Sequence, residues 1–129
     1  MTTGETDLLT LLRTMNPVLQ PDEYVFCTLP DKQWLVALPW VSMFRENEGV
    51  TVILRRKDAD YHALSYHYVA AWITITAHSA LEAVGFLAAI SAKLAGAGIS
   101  CNTVSAFYHD HLFVPFAEGE RALALLNEG

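Results

Sequence analysis

The sequence predicts an α+β fold in which two helices pack against an antiparallel sheet. Two observations support this class. Residues 41–46 and 49–56 are rich in β-forming side chains and flank a short turn containing Gly49, which is typical of a β-hairpin. In the second half of the chain, apolar segments of strand and helix length follow one another in the order β, α, β, β, α.

The first segments of the chain predict one helix and one strand. Apolar residues at helical spacing over residues 6–15 predict an amphipathic helix, with Thr6 as its N-cap and Pro17 ending it. Residues 23–29 are rich in β-forming side chains and precede the turn signal at Pro30. We therefore expect a strand there.

The middle of the chain gives weaker signals. Residues 34–40 are apolar, but Pro39 restricts them to an edge strand or an irregular segment. Asp58 is placed to cap a short helix over residues 58–64. Residues 65–78 form a long β-type region, which predicts either one long strand or two strands joined near its middle.

A capping box is the clearest local signal. Ser79 is followed three residues later by Glu82, a spacing at which each side chain can bond a backbone amide of a helix start. We expect a helix over residues 79–95, ended by Gly96 and Gly98. Both faces of this helix are apolar, so we expect something besides its own sheet to cover it.

Two further strands and a helix complete the prediction. We expect strands at residues 103–107 and 112–116 around a loop at 108–111, and then a helix over residues 118–126. With 129 residues, the chain fits one folding unit made of two small halves. We place these halves at residues 1–70 and 71–129.

Composition and charge restrict the partners. The chain is 53% hydrophobic and only 17% charged, against about 25% charged in an average protein. Self-association into a homodimer would cover the excess apolar surface.

The net charge is −6 and the few basic residues are scattered, which argues against nucleic acid as a partner. Residues 83–90 are too short an apolar run to span a membrane, so we expect a cytoplasmic protein.

The residues that suggest chemistry do not form a catalytic pattern. His109 and His111 flank an aspartate and would share one face of a strand, but no further ligands at a recognisable spacing accompany them as a metal site would require. Cys27 and Cys101 lie in apolar runs, where we expect buried, reduced thiols. We therefore expect neither an enzyme nor a cofactor.

Residues 72–116 resemble an ACT domain, a βαββαβ module of ferredoxin-like fold that binds amino acids and other small effectors. The resemblance is carried by Gly85, by the segment FLAAISAKLAGAGIS that follows it and by the apolar strand after Asn102. Glu82 occupies the acidic position three residues before the glycine, whereas Val84 replaces the proline common in the family. The first half of the chain resembles a second, degenerate repeat whose first helix is missing.

A closer resemblance is to uncharacterised bacterial ACT-like proteins and to paired-ACT arginine sensors. The shared motifs are Val84-Gly85, Gly98-Ile99-Ser100, Ser105 with Phe107, Asp110-His111 and Val114-Pro115. This resemblance implies a ligand site between the predicted helix start and the loop carrying Asp110. The site residues implied by the match are Glu82, Ala83, Val84, Gly85, Phe107 and Asp110, and Ser79, at the predicted helix start, completes the expected site.

The chemistry of these residues suits an amino acid. A helix start presents unpaired amides to a carboxylate, and Gly85 lets a ligand approach the backbone. Asp110 could meet an ammonium group. Capping alone explains Glu82, and turn preference alone explains Asp110. The expected function is therefore a non-catalytic sensor of an amino acid or similar metabolite, and the alternative is a ligand-free dimerisation module with the same fold.

Overall fold

The computed structural model of the protein describes residues 4–31 and 37–128. It contains seven strands: β1 (Pro17–Leu19), β2 (Tyr24–Leu29), β3 (Ser42–Glu46), β4 (Gly49–Arg55), β5 (Val69–Ile75), β6 (Asn102–Ser105) and β7 (Asp110–Pro115). Its α-helices are α1 (Leu8–Arg13), α2 (Arg56–Tyr61), α3 (Phe86–Gly96) and α4 (Gly119–Asn127), and a short 3₁₀ helix, Phe116–Glu118, precedes α4. The fold is α+β, as predicted.

The chain divides into two compact units. Residues 22–70 form one, named the inserted unit because the other is made from the residues on either side of it. That other unit, residues 4–21 with 71–128, is named the split unit. The described chain therefore passes out of one unit and returns to it. The expected halves at residues 1–70 and 71–129 remain a prediction.

The inserted unit is a small antiparallel sheet with one helix. Strand β4 pairs with both β2 and β3, and the first two residues of β5 pair with β2. Alternate residues of β2 and β4 share one apolar cluster with Ala59 of α2: Val25, Cys27, Leu29, Val50, Val52 and Leu54. Among the described residues between β2 and β3, namely 30–31 and 37–41, none is α-helical.

The split unit is also antiparallel, with the strand order β1-β5-β7-β6. Alternate residues of β5 and β7 place Ala71, Ile73, Ile75, Leu112 and Val114 in one buried cluster. Side chains of α1, α3 and α4 complete that cluster: Leu11, Phe86, Ile90, Leu94, Ala122 and Leu126. Three helices therefore cover the same face of this sheet.

Strand β1 supplies the edge strand that the second half of the chain lacks. After β5, α3, β6, β7 and α4, a ferredoxin-like βαββαβ motif needs one more strand beside its first. Here β1 takes that place, with Val18 opposite Thr74 in antiparallel register. The sequence prediction missed this strand because it has only three residues and begins at Pro17, a residue tolerated at the start of an edge strand.

Several predicted elements are confirmed. The hairpin lies at β3 and β4, the strand over residues 23–29 is β2, and the second half has the predicted β, α, β, β, α order. The long β-type region contains one strand, β5, rather than two. Of the apolar run at 34–40, residues 34–36 lie outside the described part of the chain, and residues 37–40 contain no strand.

Two predicted helix caps are wrong. Helix α1 is capped by Asp7, whose Oδ2 accepts a hydrogen bond from the Thr10 amide at 2.9 Å, and not by Thr6. Helix α2 begins at Arg56, two residues before Asp58. The Asp58 carboxylate instead accepts a hydrogen bond from Arg55 Nε at 2.9 Å. Asp7 therefore takes the capping role predicted for Thr6, and Asp58 bonds an arginine side chain where a helix cap was predicted.

No helix in residues 4–31 or 37–128 is long and apolar enough to cross a membrane.

Candidate functional site

The segment from Ser79 to Gly85 is not helical, so the predicted capping box is wrong. Ser79 lies in a β-bridge with Glu5, and the Ala80 amide donates a hydrogen bond to the Glu5 carbonyl at 2.8 Å. The Ser79 hydroxyl donates to Asp110 Oδ2 at 2.7 Å and does not cap a helix. Glu82 lies exposed in a turn. Pairing with distant residues has therefore overridden the local pattern.

Gly85 marks the true start of α3. It is the N-cap residue, with φ of 90° and ψ of −8°, a left-handed conformation that costs least in glycine. No side chain caps this helix, and its first backbone bond runs from the Ala89 amide to the Gly85 carbonyl at 2.9 Å. The amides of the first turn therefore have no partner within the helix.

A cavity of about 170 Å³ lies at this uncapped helix start. It brings together four predicted site residues: Ser79, Ala83, Gly85 and Asp110. It also includes residues that the sequence prediction did not assign to the site: Ala80, Leu81, Phe86, Leu87, Ala88 and Ser105. Of these, Ser105 belongs to the shared Ser-x-Phe motif, which was the available signal for it.

Asp110 is the charged group of this cavity. We expected it in an exposed loop, but it is the first residue of β7 and only 4% exposed. The loop, residues 106–109, has the predicted length but lies two residues earlier than predicted, because β6 and β7 pair as far as Ser105 opposite Asp110. Since a buried charge is costly without partners, the Ser79 hydrogen bond stabilises this carboxylate. A cationic group in the cavity would stabilise it further.

The remaining predicted residues lie outside the cavity wall. Glu82 is exposed, and Val84 is 84% exposed. Phe107 is in ring contact with Tyr108 and His78, at centroid distances of 5.0 Å and 6.3 Å. Phe107 and Tyr108 are both exposed, at 46% and 58% of their surface. The structure thus splits the predicted site into a buried part and an exposed surface group.

His111 belongs to a separate hydrogen-bonded network on the sheet. Its Nδ1 accepts a hydrogen bond from Trp72 Nε1 at 3.0 Å and lies 3.2 Å from the Thr74 hydroxyl. Burial lowers the pKa of His111, His109 lowers it further, and Asp110 opposes them. With Nδ1 occupied by Trp72, the neutral ring is favoured. Within the described part of the chain, no group of three His, Cys, Asp or Glu side chains is placed to hold a metal ion.

Both cysteines are free thiols, as expected. Cys27 is buried in the core of the inserted unit. Cys101 is only half-buried, so the expectation that both are buried is wrong for this residue. Burial raises the pKa of each thiol.

The comparison with protein families identifies this fold. ACT domain families match residues 3–71 and residues 68–128. A Vibrio cholerae protein of unknown function, described as a possible transport protein, is 41% identical with a TM-score of 0.84, over 92% of this chain and 91% of that one. The chain therefore belongs to the ACT domain family, with two ACT domains in tandem. No curated protein matches the sequence.

More distant solved structures share the fold. An Agrobacterium tumefaciens protein is 19% identical, with a TM-score of 0.65, over 87% of this chain and 86% of that one. The regulatory subunit of aspartate kinase from Thermus thermophilus, in its ligand-free form, is 10% identical with a TM-score of 0.60. That match covers 87% of this chain and 95% of the subunit. The predicted ferredoxin-like, paired ACT arrangement is thus confirmed.

Proposed function

We propose that this protein is a non-catalytic regulatory module that binds an amino acid or similar small metabolite. The observation that carries the proposal is the cavity between the uncapped start of α3 and the buried carboxylate of Asp110. Ser79, Ala83 and Gly85 form its wall beside Asp110. The volume of about 170 Å³ lies below the ~300–1,000 Å³ typical of drug-sized ligands, so it suits a small metabolite.

The two ends of an amino acid match the two polar features of the cavity. The α-carboxylate meets the first-turn amides of α3, where the positive end of the helix dipole lies. The ammonium group meets Asp110 as a charge-assisted hydrogen bond. The absence of a Cβ at Gly85 leaves room beside the backbone, since the nearest atom to such a Cβ would be Leu8 Cδ2 at 3.7 Å.

The exposed residues around the cavity form the proposed contact with a second copy of the chain. Leu81, Val84, Phe107 and Tyr108 are all large apolar side chains with at least 46% of their surface exposed. Exposed apolar groups that lie together usually mark an interaction surface. We propose that a homodimer covers them, with Glu82, Val84 and Phe107 closing the ligand site. Ligand occupancy would then favour the paired state by its differential affinity.

The similar structures support a regulatory role, and the free thiols support a cytoplasmic location. The similar structures include a protein described as the regulatory subunit of aspartate kinase, which agrees with a regulatory role. Two free thiols suit a reducing compartment, and we propose that the protein works in the cytoplasm.

A thermal-shift screen of the twenty amino acids tests the proposal. A ligand at 100 times its dissociation constant stabilises the folded state by about 2.7 kcal/mol. Asp110→Asn, which keeps the side-chain shape, should abolish the shift. Glu120→Gln removes a similar charge from an exposed position of α4 and should leave the shift unchanged. An unchanged shift in Asp110→Asn would rule out this site, and no shift with any amino acid would favour the ligand-free dimerisation module.

A further inference from the structure

A second and larger cavity lies elsewhere in the split unit. Its volume is about 570 Å³, and it lies among α1, the turn after it, α3 and α4. None of the residues of the proposed amino-acid site lines it. The volume falls within the range typical of small-molecule sites. Its lining is Leu9, Leu12, Arg13, Met15, Asn16, Pro17, Ala89, Ile90, Lys93, Leu126 and Asn127.

The wall of this cavity is mostly apolar, and part of it faces solvent. Met15, Ile90 and Leu126 form a buried floor, while Leu12 is half-buried. Leu9 is 61% exposed although it belongs to this wall. A ligand bound in this cavity would bury the exposed side chain of Leu9 and other apolar surface, which favours binding.

The charged residues of the cavity are both cations. Arg13 lies in the last turn of α1, and Lys93 lies in α3. In residues 4–31 and 37–128, every ion pair involves Arg55, Arg56 or Arg121, and neither Arg13 nor Lys93 takes part. The protein has a net charge of −6, so the two cations give this cavity a charge opposite in sign to that of the whole chain. Asn16 and Asn127 add polar groups to the same lining.

From this combination we infer that the cavity binds a small carboxylate with an apolar tail, such as a medium-chain fatty acid. The tail lies against Leu12, Ile90 and Leu126, and the carboxylate lies near Arg13 and Lys93. Arginine and lysine both bind carboxylates through charge-assisted hydrogen bonds. The site is separate from the amino-acid cavity, and its existence does not depend on that proposal.

Calorimetric titration with decanoate, octanoate and decanol tests the inference. Decanoate should bind with a stoichiometry of one per chain. Octanoate, two methylene groups shorter, should bind roughly tenfold more weakly if the tail is buried. Decanol has the same tail without the charge. Its affinity should not change when Arg13 and Lys93 are replaced.

Paired variants separate the charge effect from general electrostatics. Arg13→Gln with Lys93→Met should weaken decanoate binding about tenfold. Arg45→Gln with Lys57→Met removes two exposed cations of the inserted unit and should change it less than twofold. An equal loss in both pairs would contradict the site. So would the absence of saturable decanoate binding to the unmodified protein.

A second pair of variants tests the apolar cavity itself. Ala89→Phe places a larger side chain at a residue of the cavity wall and should abolish decanoate binding. Ala92→Phe makes the same change at an exposed position of α3 outside the lining and should not. Light scattering on both variants measures the oligomeric state and tests whether a second copy of the chain occupies the cavity instead. If Ala89→Phe alone dissociates a dimer, the cavity belongs to a subunit interface and the fatty-acid assignment is wrong.

Discussion

Replacing Ser79 with alanine tests the contact that joins the two sides of the proposed amino-acid site. The Ser79 hydroxyl donates to Asp110 Oδ2 at 2.7 Å, and the two residues are 8% and 4% exposed. A hydrogen bond to a charged group contributes about 1.5–3 kcal/mol to stability, because its loss leaves a desolvated charge with one donor fewer. We therefore expect Ser79→Ala to lower the free energy of unfolding by about 1.5–3 kcal/mol.

Urea and thermal unfolding measure this loss. For a domain of this size, each kcal/mol corresponds to a shift of about 3–4 °C in Tm, so the expected decrease is about 5–12 °C. Asp110→Asn and the double variant complete a cycle. Since the two side chains are in direct contact, their effects should not be additive, with an interaction energy above about 0.5 kcal/mol.

Ser100→Ala is the matched control, because it removes the same hydroxyl from an exposed serine of the split unit. It should change stability by less than about 0.5 kcal/mol. If Ser79→Ala has an effect as small as this control, or if the cycle is additive, then the Asp110 carboxylate is not held by Ser79 in solution. The reasoning that places a desolvated charge in this cavity would then fail.

Three other perturbations probe single features of the structure. Gly85→Ala forces alanine into a left-handed φ and should lower the free energy of unfolding, measured in urea, by about 1–2 kcal/mol. Gly96→Ala is the control, since Gly96 lies in α3 with open space around it, and this change should be neutral or stabilising. Equal effects of the two changes would contradict the assigned start of α3. His111 has a lowered folded-state pKa, so stability should fall as pH drops below about 6.5, where the unfolded histidine gains its proton first. His111→Gln should remove that part of the pH dependence, and an unchanged profile would exclude His111 as its source. Cys27, buried with a raised pKa, should react with a polar thiol reagent at pH 7 far more slowly than in the unfolded chain, and equal rates would place it at the surface.

Sequence reasoning succeeded where the structure follows from local patterns. The β3–β4 hairpin was predicted because its strands flank a short turn containing Gly49. Strand β2 and helix α4 were located to within two residues for similar reasons. The fold class and the family followed from the order of such elements and from the motifs around Gly85.

The failures involve partners far apart in the chain. Ser79 and Asp110 are 31 residues apart, and no local pattern shows that the serine bonds this carboxylate instead of capping a helix. The three-residue strand β1 exists because β5 offers an edge more than fifty residues later, with Leu19 opposite Ile73. The sequence did contain one signal for the true helix start, which we interpreted as ligand access. A glycine inside a predicted helix costs about 1 kcal/mol, so Gly85 favoured a helix boundary over a helix interior.

The candidate site was predicted in part. Four of the seven predicted site residues line one cavity, and Asp110 is more buried than a turn residue would be. Glu82, Val84 and Phe107 lie outside the wall, and their contribution depends on a partner that covers them. The first-turn residues of α3 were not predicted as ligand contacts because the helix was expected to begin at residue 79, seven residues before Phe86.

The most direct test of the proposed function is an NMR titration of the ¹⁵N-labelled protein with the twenty amino acids. We predict that one amino acid, or a few related ones, will shift the amides of Phe86, Leu87 and Ala88 most strongly, together with that of Asp110. These are the groups assigned to the ligand carboxylate and ammonium. The absence of any saturable shift, or shifts confined to residues outside 79–88 and 105–110, would contradict the amino-acid site.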